Sequence, residues 1–211
     1  MKLKKRLLKK SRLYAILDKG ALGKRDIVKT AAKLSRLGVD IVQLRDKISK
    51  KEELLKIAFR ISKRLSNTKT IFIINDYLDI AKIAGADGVH LGQLDFPISL
   101  ASSILGRDKI IGISTHSLKQ AKEAQKSGAD YLSLGPVFKT PSKPEYKPVG
   151  TTLLKHCVSE IKKPIFVIGG INEKTIDKVL TKGAKRVAVL RLACQPKNIA
   201  KTINKLKDKL K

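Results

Sequence analysis

The feature that most limits what this chain can fold into is a short pattern that returns four times: a glycine, a small residue, a polar residue, then an apolar run. The copies are Gly38-Val39-Asp40 before IVQLR, Gly85-Ala86-Asp87 before GVHLG, Gly128-Ala129-Asp130 before YLSLG and Gly183-Ala184-Lys185 before RVAVL. Each glycine follows a stretch of helical periodicity, where a residue that tolerates the left-handed conformation ends the helix. Each run is too short for a helix and apolar throughout, as a strand buried on both faces must be. The pattern is therefore a helix-to-strand joint, and repeats of one joint imply repeats of one supersecondary unit.

Four more apolar runs fill the gaps: LYAIL from Leu13, IFIIN from Ile71, KIIGIS from Lys109 and PIFVIGG from Pro164. Helix starts are predicted between them by a capping box from Ser49 to Glu52, a second from Ser117 to Gln120, and Asn172 as a cap. Eight strands alternating with helices predict an α/β fold with a parallel sheet covered by helices. The count of eight favours a closed (β/α)8 TIM barrel over an open doubly wound sheet. No linker or composition shift divides the chain, so one barrel domain is expected over residues 12–211, with residues 1–11 as a basic N-terminal extension.

Composition sets the outer limits. With 42% hydrophobic residues the chain can build a core. It contains no run of the ~18 apolar residues that a spanning helix needs. Its basic start, MKLKKRLLKKSR, lacks the apolar stretch that follows in a signal peptide. A cytoplasmic protein without a membrane span is the expectation. Cys157 and Cys194 stand far apart with no CxxC spacing, which predicts buried thiols rather than a disulfide or zinc ligands. Lys and Arg number 46 against 18 Asp and Glu, a formal charge of +28. Such a surface attracts nucleic acid, anionic lipid and phosphorylated metabolites by the same Coulomb attraction. Aromatic residues at 4% are too scarce for a single-strand stacking platform, so a solvated Lys-rich surface is preferred and a nucleic-acid partner is not expected. Nothing in the pattern selects an oligomeric state.

In a barrel of this kind chemistry gathers at the C-terminal ends of the strands. The second strand ends in Gln43-Leu44-Arg45-Asp46-Lys47, and alternation brings Gln43, Arg45 and Lys47 to one face, as an anion site or as a salt-bridged rim. Asn75 and Asp76 end the third strand and Asp95 follows the fourth. Taken singly, each Asp is as suited to capping the next helix as to binding a ligand. Two carboxylates on adjacent strand ends beside cations also suit a Mg2+ ion that keeps waters and grips a diphosphate. The fifth strand ends in Ser114-Thr115-His116. The sixth runs into Gly135-Pro136-Val137-Phe138-Lys139-Thr140-Pro141-Ser142-Lys143, which is either a loop closing over anions or a Pro-rich connector. Gly169-Gly170 after the seventh strand lets backbone N–H groups approach a phosphate, or is a tight turn. His90 lies in the fourth strand and His156 in a helix, and no Ser-His-Asp or Cys-His set is apparent.

From Tyr14 to about Ala193 the chain resembles the thiamine-phosphate synthase (thiamine-phosphate pyrophosphorylase) family. Six motifs carry the resemblance in order: VQLRDK (Val42 to Lys47), Asn75-Asp76, GADGVHLGQLD (Gly85 to Asp95), GISTHS (Gly112 to Ser117), GPVFKTPSK (Gly135 to Lys143) and IGGI (Ile168 to Ile171). The resemblance implies a transferase that joins 4-amino-2-methyl-5-hydroxymethylpyrimidine diphosphate to 4-methyl-5-(2-phosphoethyl)thiazole, with loss of pyrophosphate. It implies that Gln43, Arg45, Lys47, Asn75, Ser114 and Lys143 hold the pyrimidine diphosphate, with Ser114 and Lys143 catalytic and Asp76 and Asp95 on Mg2+. Thr140, Ser142, Gly170, Leu190 and Arg191 would hold the thiazole phosphate. Two departures stand out. Thr140-Pro141-Ser142-Lys143 replaces the family's Thr-x-Thr-Lys and keeps the hydroxyl. Leu190-Arg191-Leu192 replaces a Val-Ser-Ala-type run, so Arg191 either clamps a phosphate, fills the pocket or turns outward to a surface acid. A rival family on the same barrel, the thiazole tautomerases, lacks the paired aspartates and the Thr-x-Thr-Lys loop.

Overall fold

The four repeated joints decide the architecture. In the computed structural model, which describes residues 3–211, Gly38, Gly85, Gly128 and Gly183 have φ of 75°, 67°, 95° and 91°. A side chain is strained there, so glycine ends each helix and turns the chain into a strand. The polar residue two positions on has its own task. The Asp40 carboxylate accepts from Leu13 N, Asp87 from Phe72 N and Asp130 from Ile111 N, at 2.8 to 2.9 Å. Three of the four repeats thus tie the start of their strand to the start of a neighbouring one; the fourth, with Lys185 in place of the aspartate, does not.

The strands are β1 (Leu13–Asp18), β2 (Ile41–Arg45), β3 (Ile71–Asn75), β4 (Gly88–Leu91), β5 (Ile110–Thr115), β6 (Tyr131–Leu134), β7 (Ile165–Val167) and β8 (Val187–Val189). They form a closed parallel barrel in sequence order, with β1 bonded to both β2 and β8. The helices are α1 (Leu3–Lys10), α2 (Lys19–Leu22), α3 (Ile27–Arg36), α4 (Lys51–Leu65), α5 (Leu78–Ile83), α6 (Ile98–Leu105), α7 (Leu118–Lys126), α8 (Gly150–Glu160), α9 (Ile176–Leu180), α10 (Arg191–Cys194) and α11 (Ile199–Lys209). The expected single barrel is therefore the observed fold.

Strand alternation divides the apolar residues between two cores. Leu13, Ala15 and Leu17 face the helices, whereas Tyr14 and Ile16 join Ile41, Ile73, Tyr131 and Phe166 inside the barrel. Burying each such large side chain stabilises the fold by about 1.5–3 kcal/mol. Both cysteines are free and fully buried, in the outer core. Among the described residues no helix is long and apolar enough to cross a membrane.

The basic segment over residues 1–11 is helical over Leu3–Lys10, its first two residues lying outside the described ones. It crosses the N-terminal ends of the strands. Leu8 enters the interior core, Lys4 pairs with Asp87 at 3.3 Å and Lys5 with Asp130 at 3.1 Å.

Of the three expected helix caps, one forms. Ser117 Oγ accepts from Gln120 N at 3.2 Å. Ser49 makes no cap, because Asp46 Oδ1 accepts from Ile48 N and Ser49 N in a turn and the helix starts beyond it, with Lys50 at the cap position. Asn172 likewise forms a local turn, accepting from Lys174 N at 2.9 Å, and α9 begins after Thr175.

Candidate active site

The C-terminal ends of β1 to β4 bring charge together. Arg45, the last residue of β2, pairs with Asp18, the last residue of β1, and Lys47 pairs with Asp76 just past β3. Asp76 has φ 64°, the only non-glycine residue with positive φ among the described residues. Asp tolerates that conformation better than most, at a cost of roughly 1–2 kcal/mol. Its backbone N–H donates to His90 O at 2.9 Å, which fixes the turn against β4. Burial raises the Asp76 carboxyl above the usual carboxylate range; the Lys47 ammonium opposes this and the nearby Asp95 charge adds to it. Asp95 itself accepts from Gly92 N at 2.6 Å, closing the turn after β4.

Two carboxylates that repel one another beside a rim of cations form an arrangement that a divalent cation relieves. Among the described residues no group of three or more His, Cys, Asp or Glu side chains is gathered. A pair fits Mg2+ rather than zinc, because Mg2+ keeps waters and takes further oxygens from a substrate phosphate.

The loop after β6 folds over this rim. Lys143 is half-buried, and burial together with the Arg45 charge holds its ammonium below the usual lysine range, against Glu145 and Asp76. Its Nζ lies 4.8 Å from the ring centre of Tyr146, whose ring in turn meets that of His116 at 4.8 Å. His116 Nδ1 is 2.5 Å from Gly135 O, so this histidine braces the loop. Thr140 and Ser142 are half-buried in the same loop, with Ser142 N on Thr140 Oγ1 at 3.4 Å.

On the far side, Gly169 and Gly170 have φ of 96° and 67° and lie under that loop. A Cβ on Gly170 would come within 2.6 Å of Phe138 Cβ, and one on Gly169 within 2.4 Å of Pro136. Their conformation and this close approach both demand glycine, so the pair is a tight turn as well as any phosphate seat. Leu190 precedes the short α10, and Arg191 is its exposed first residue rather than a strand end. No ion pair of Arg191 is found among the described residues.

Below the rim a run of polar side chains crosses the barrel. Gln43 Nε2 is 2.7 Å from Tyr14 OH, Tyr14 OH is 2.9 Å from Tyr131 OH, and Tyr131 OH is 3.0 Å from His90 Nδ1. His90 Nε2 is 3.0 Å from Ser114 Oγ and 3.3 Å from Ser133 Oγ. Burial holds both phenols above the ordinary tyrosine range and pushes the imidazole down to about 3. Ser114 and His90 are therefore neighbours, but a phenol and not a carboxylate meets the other ring nitrogen, so no Ser-His-Asp triad exists here.

A family model described as thiamine monophosphate synthase matches residues 13–193. The chain belongs to the thiamine monophosphate synthase family. A thiamine-phosphate synthase of Halalkalibacterium halodurans is 45% identical over 181 residues, 85% of each chain. One from Shouchella clausii is 41% identical over 184 residues, 87% of this chain and 88% of that one. The solved structure of thiamine phosphate pyrophosphorylase from Pyrococcus furiosus superposes with a TM-score of 0.86 at 31% identity, over 99% of this chain and 98% of that chain. These relatives are transferases of thiamine biosynthesis, and the chain is an enzyme of that class.

Within this thiamine monophosphate synthase barrel the structure gathers Arg45, Lys47, Asp76, Asp95 and Lys143 at one side of the mouth. It places Gln43 and Ser114 in the interior run and Asn75 at the end of β3, in register with His90. Thr140 and Ser142 lie in the β6 loop with Lys143, Gly170 lies under that loop after β7, and Leu190 follows β8. Tyr14, Tyr131 and His90 were not singled out by strand-end position. One signal was available: Gly112 interrupts β5, and a Cβ there would lie 2.0 Å from Tyr131 Cζ, so the glycine makes room for a ring.

Proposed function

We propose that the protein is a thiamine-phosphate synthase that joins the pyrimidine diphosphate to the thiazole phosphate and releases pyrophosphate. The observation that carries this reading is the gathering of Lys47 and half-buried Lys143 about the Asp76–Asp95 pair, with Arg45 beside Lys143. Three cations and two carboxylates suit a diphosphate bound together with a divalent cation.

The bond from the pyrimidine methylene to oxygen breaks, and its electron pair leaves on the diphosphate. The lone pair of the thiazole nitrogen forms the new C–N bond, and the ring keeps the positive charge. No proton is lost and no protein nucleophile is needed, in agreement with an imidazole that no carboxylate activates. Arg45, Lys47 and Lys143 stabilise charge growing on the leaving group, where a low-dielectric site strengthens the attraction. Gln43 and Asn75 orient the pyrimidine end, and Ser114 meets the diphosphate. Thr140, Ser142, Gly170, Leu190 and Arg191 line the side that takes the thiazole phosphate. Mg2+, held by Asp76 and Asp95, would neutralise the departing pyrophosphate. Two free, buried thiols support a reducing cytoplasmic setting.

A coupled assay for pyrophosphate with each substrate alone and with both tests the reading. Release that requires both substrates and divalent cation, with thiamine phosphate as product, is the expected result. Isomerisation of a thiazole alone, without pyrophosphate release, would replace it with the tautomerase reading.

A further inference from the structure

The polar run inside the barrel has a direction. Gln43 presents its amide nitrogen to Tyr14 OH, and an amide NH2 only donates. The Tyr14 oxygen is then an acceptor on that side, so its single proton goes to Tyr131 OH. By the same count the Tyr131 proton goes to His90 Nδ1. The His90 ring is buried and its nitrogens meet only hydroxyls, so it is uncharged and carries one proton, which must lie on Nε2. Nε2–H points at Ser114 Oγ, the nearer of its two serines, and the Ser133 hydroxyl also reaches Ser114 Oγ, at 3.5 Å. Ser114 thus accepts from below. It is also the more open of the two serines, since Ser133 is buried and Ser114 is only partly so.

We propose that Tyr14, Tyr131 and His90 are positioning residues that hold His90 as the Nε2–H tautomer and turn the hydroxyl proton of Ser114 outward, as a donor to an anionic oxygen of the bound substrate. An anion drawn in by Arg45, Lys47 and Lys143 then meets a proton and not a lone pair. The identity of that substrate rests on the synthase reading, whereas the order of protons along the run does not.

Nitrogen-15 NMR of the ligand-free protein reads the tautomer directly, and three histidines in the chain keep the spectrum simple. The expected wild-type signature for His90 is a protonated Nε2 and an unprotonated Nδ1. In Tyr131→Phe the ring still fits the space that Gly112 leaves, but Nδ1 loses its donor and both tautomers appear. Pyrophosphate release should then fall about tenfold in kcat, the effect of one neutral hydrogen bond, with the KM for pyrimidine diphosphate changed less than about twofold. Ser114→Ala should cost less in the Tyr131→Phe background than in wild type. A wild-type His90 protonated on Nδ1 would overturn the proposal, because the run would then be reversed. So would a Tyr131→Phe protein with unchanged tautomer and kcat. Should Tyr131→Phe not fold, Tyr14→Phe breaks the same run one bond further away, and the wild-type spectrum alone decides the order. If the wild-type protein releases no pyrophosphate while His90 is the Nε2–H form, the synthase reading falls and the proton order is upheld.

Discussion

The two sides of the barrel mouth are built by different means. Around β2 to β4 the rim is made of charged side chains set against one another: Arg45 on Asp18, Lys47 on Asp76, and Asp76 beside Asp95. Around β7 and β8 the structure offers backbone, with Gly169 and Gly170 folded under the β6 loop and one exposed arginine at the start of α10. Charges at fixed strand ends can be lost by a single atom change, while a backbone seat tolerates changes in the side chains around it. That contrast places the departure from the family pattern, Arg191, on the side where a change is least costly.

The largest effect is expected on the charged side. Asp76→Ala and Asp95→Ala should each lower pyrophosphate release on the order of a thousandfold with the fold intact, because each removes one of the two carboxylates proposed for Mg2+. Wild-type turnover of either variant at limiting Mg2+ would remove that residue from the metal site and blur the contrast. Lys143→Ala should come next, on the order of a hundredfold in kcat, with the KM for thiazole phosphate little changed. A rise in that KM alone would move Lys143 to the backbone side.

The same lysine gives a pH dependence of definite sign. Burial and the Arg45 charge lower its ammonium, and the charged form is the one that stabilises the leaving group. Raising the pH discharges it, so kcat/KM should fall at a pH below the ordinary lysine range. A bound diphosphate pulls the ammonium back up, so the fall in kcat should lie at higher pH than the fall in kcat/KM. Coincident falls in the two profiles would show that Lys143 does not face the diphosphate.

Arg45 and Asp76 were legible by position, as residues at or just after the end of an apolar run in an eight-strand pattern, whereas Asp95 and Lys143 lie further along their loops and were marked by the family motifs. The joints were legible for a backbone reason, since only glycine ends a helix with φ near 75° without strain, as at Gly38. The interior run was not. Tyr14 and Tyr131 read as members of apolar strands, and their contact, 117 residues apart, depends on how the strands stagger around the closed barrel. Nor were the starts of α4 and α9 legible, because Ser49 and Asn172 are drawn into local turns by neighbours three or fewer residues away. The helical start was equally hidden: MKLKKRLLKKSR reads as charge, and its Leu8 becomes a core residue only when the barrel floor is there to receive it.

Smaller effects are expected on the backbone side. Gly170→Ala meets a positive φ and a 2.6 Å approach to Phe138, and should destabilise the protein by about 1–3 kcal/mol while raising the KM for thiazole phosphate. Normal stability with a normal KM would mean the turn can relax and seats nothing. Arg191→Ser should have the least effect, a several-fold higher KM for thiazole phosphate with that for pyrimidine diphosphate nearly constant. An unchanged or lower KM would show an arginine that contributes nothing to the pocket or obstructs it.

The barrel is a hoop of unequal links. β1 and β2 stay in register from Tyr14 to Asp18, whereas β7 and β8, three residues each, share the one register pair Val167 and Val187. A hoop under thermal agitation parts first at its thinnest link, and here that link lies beneath the backbone-built side of the mouth. The Val167 amide proton, which bonds to Arg186 O across that seam at 3.0 Å, should accordingly exchange with solvent sooner than those of β2, through brief local openings that leave the rest of the hoop closed.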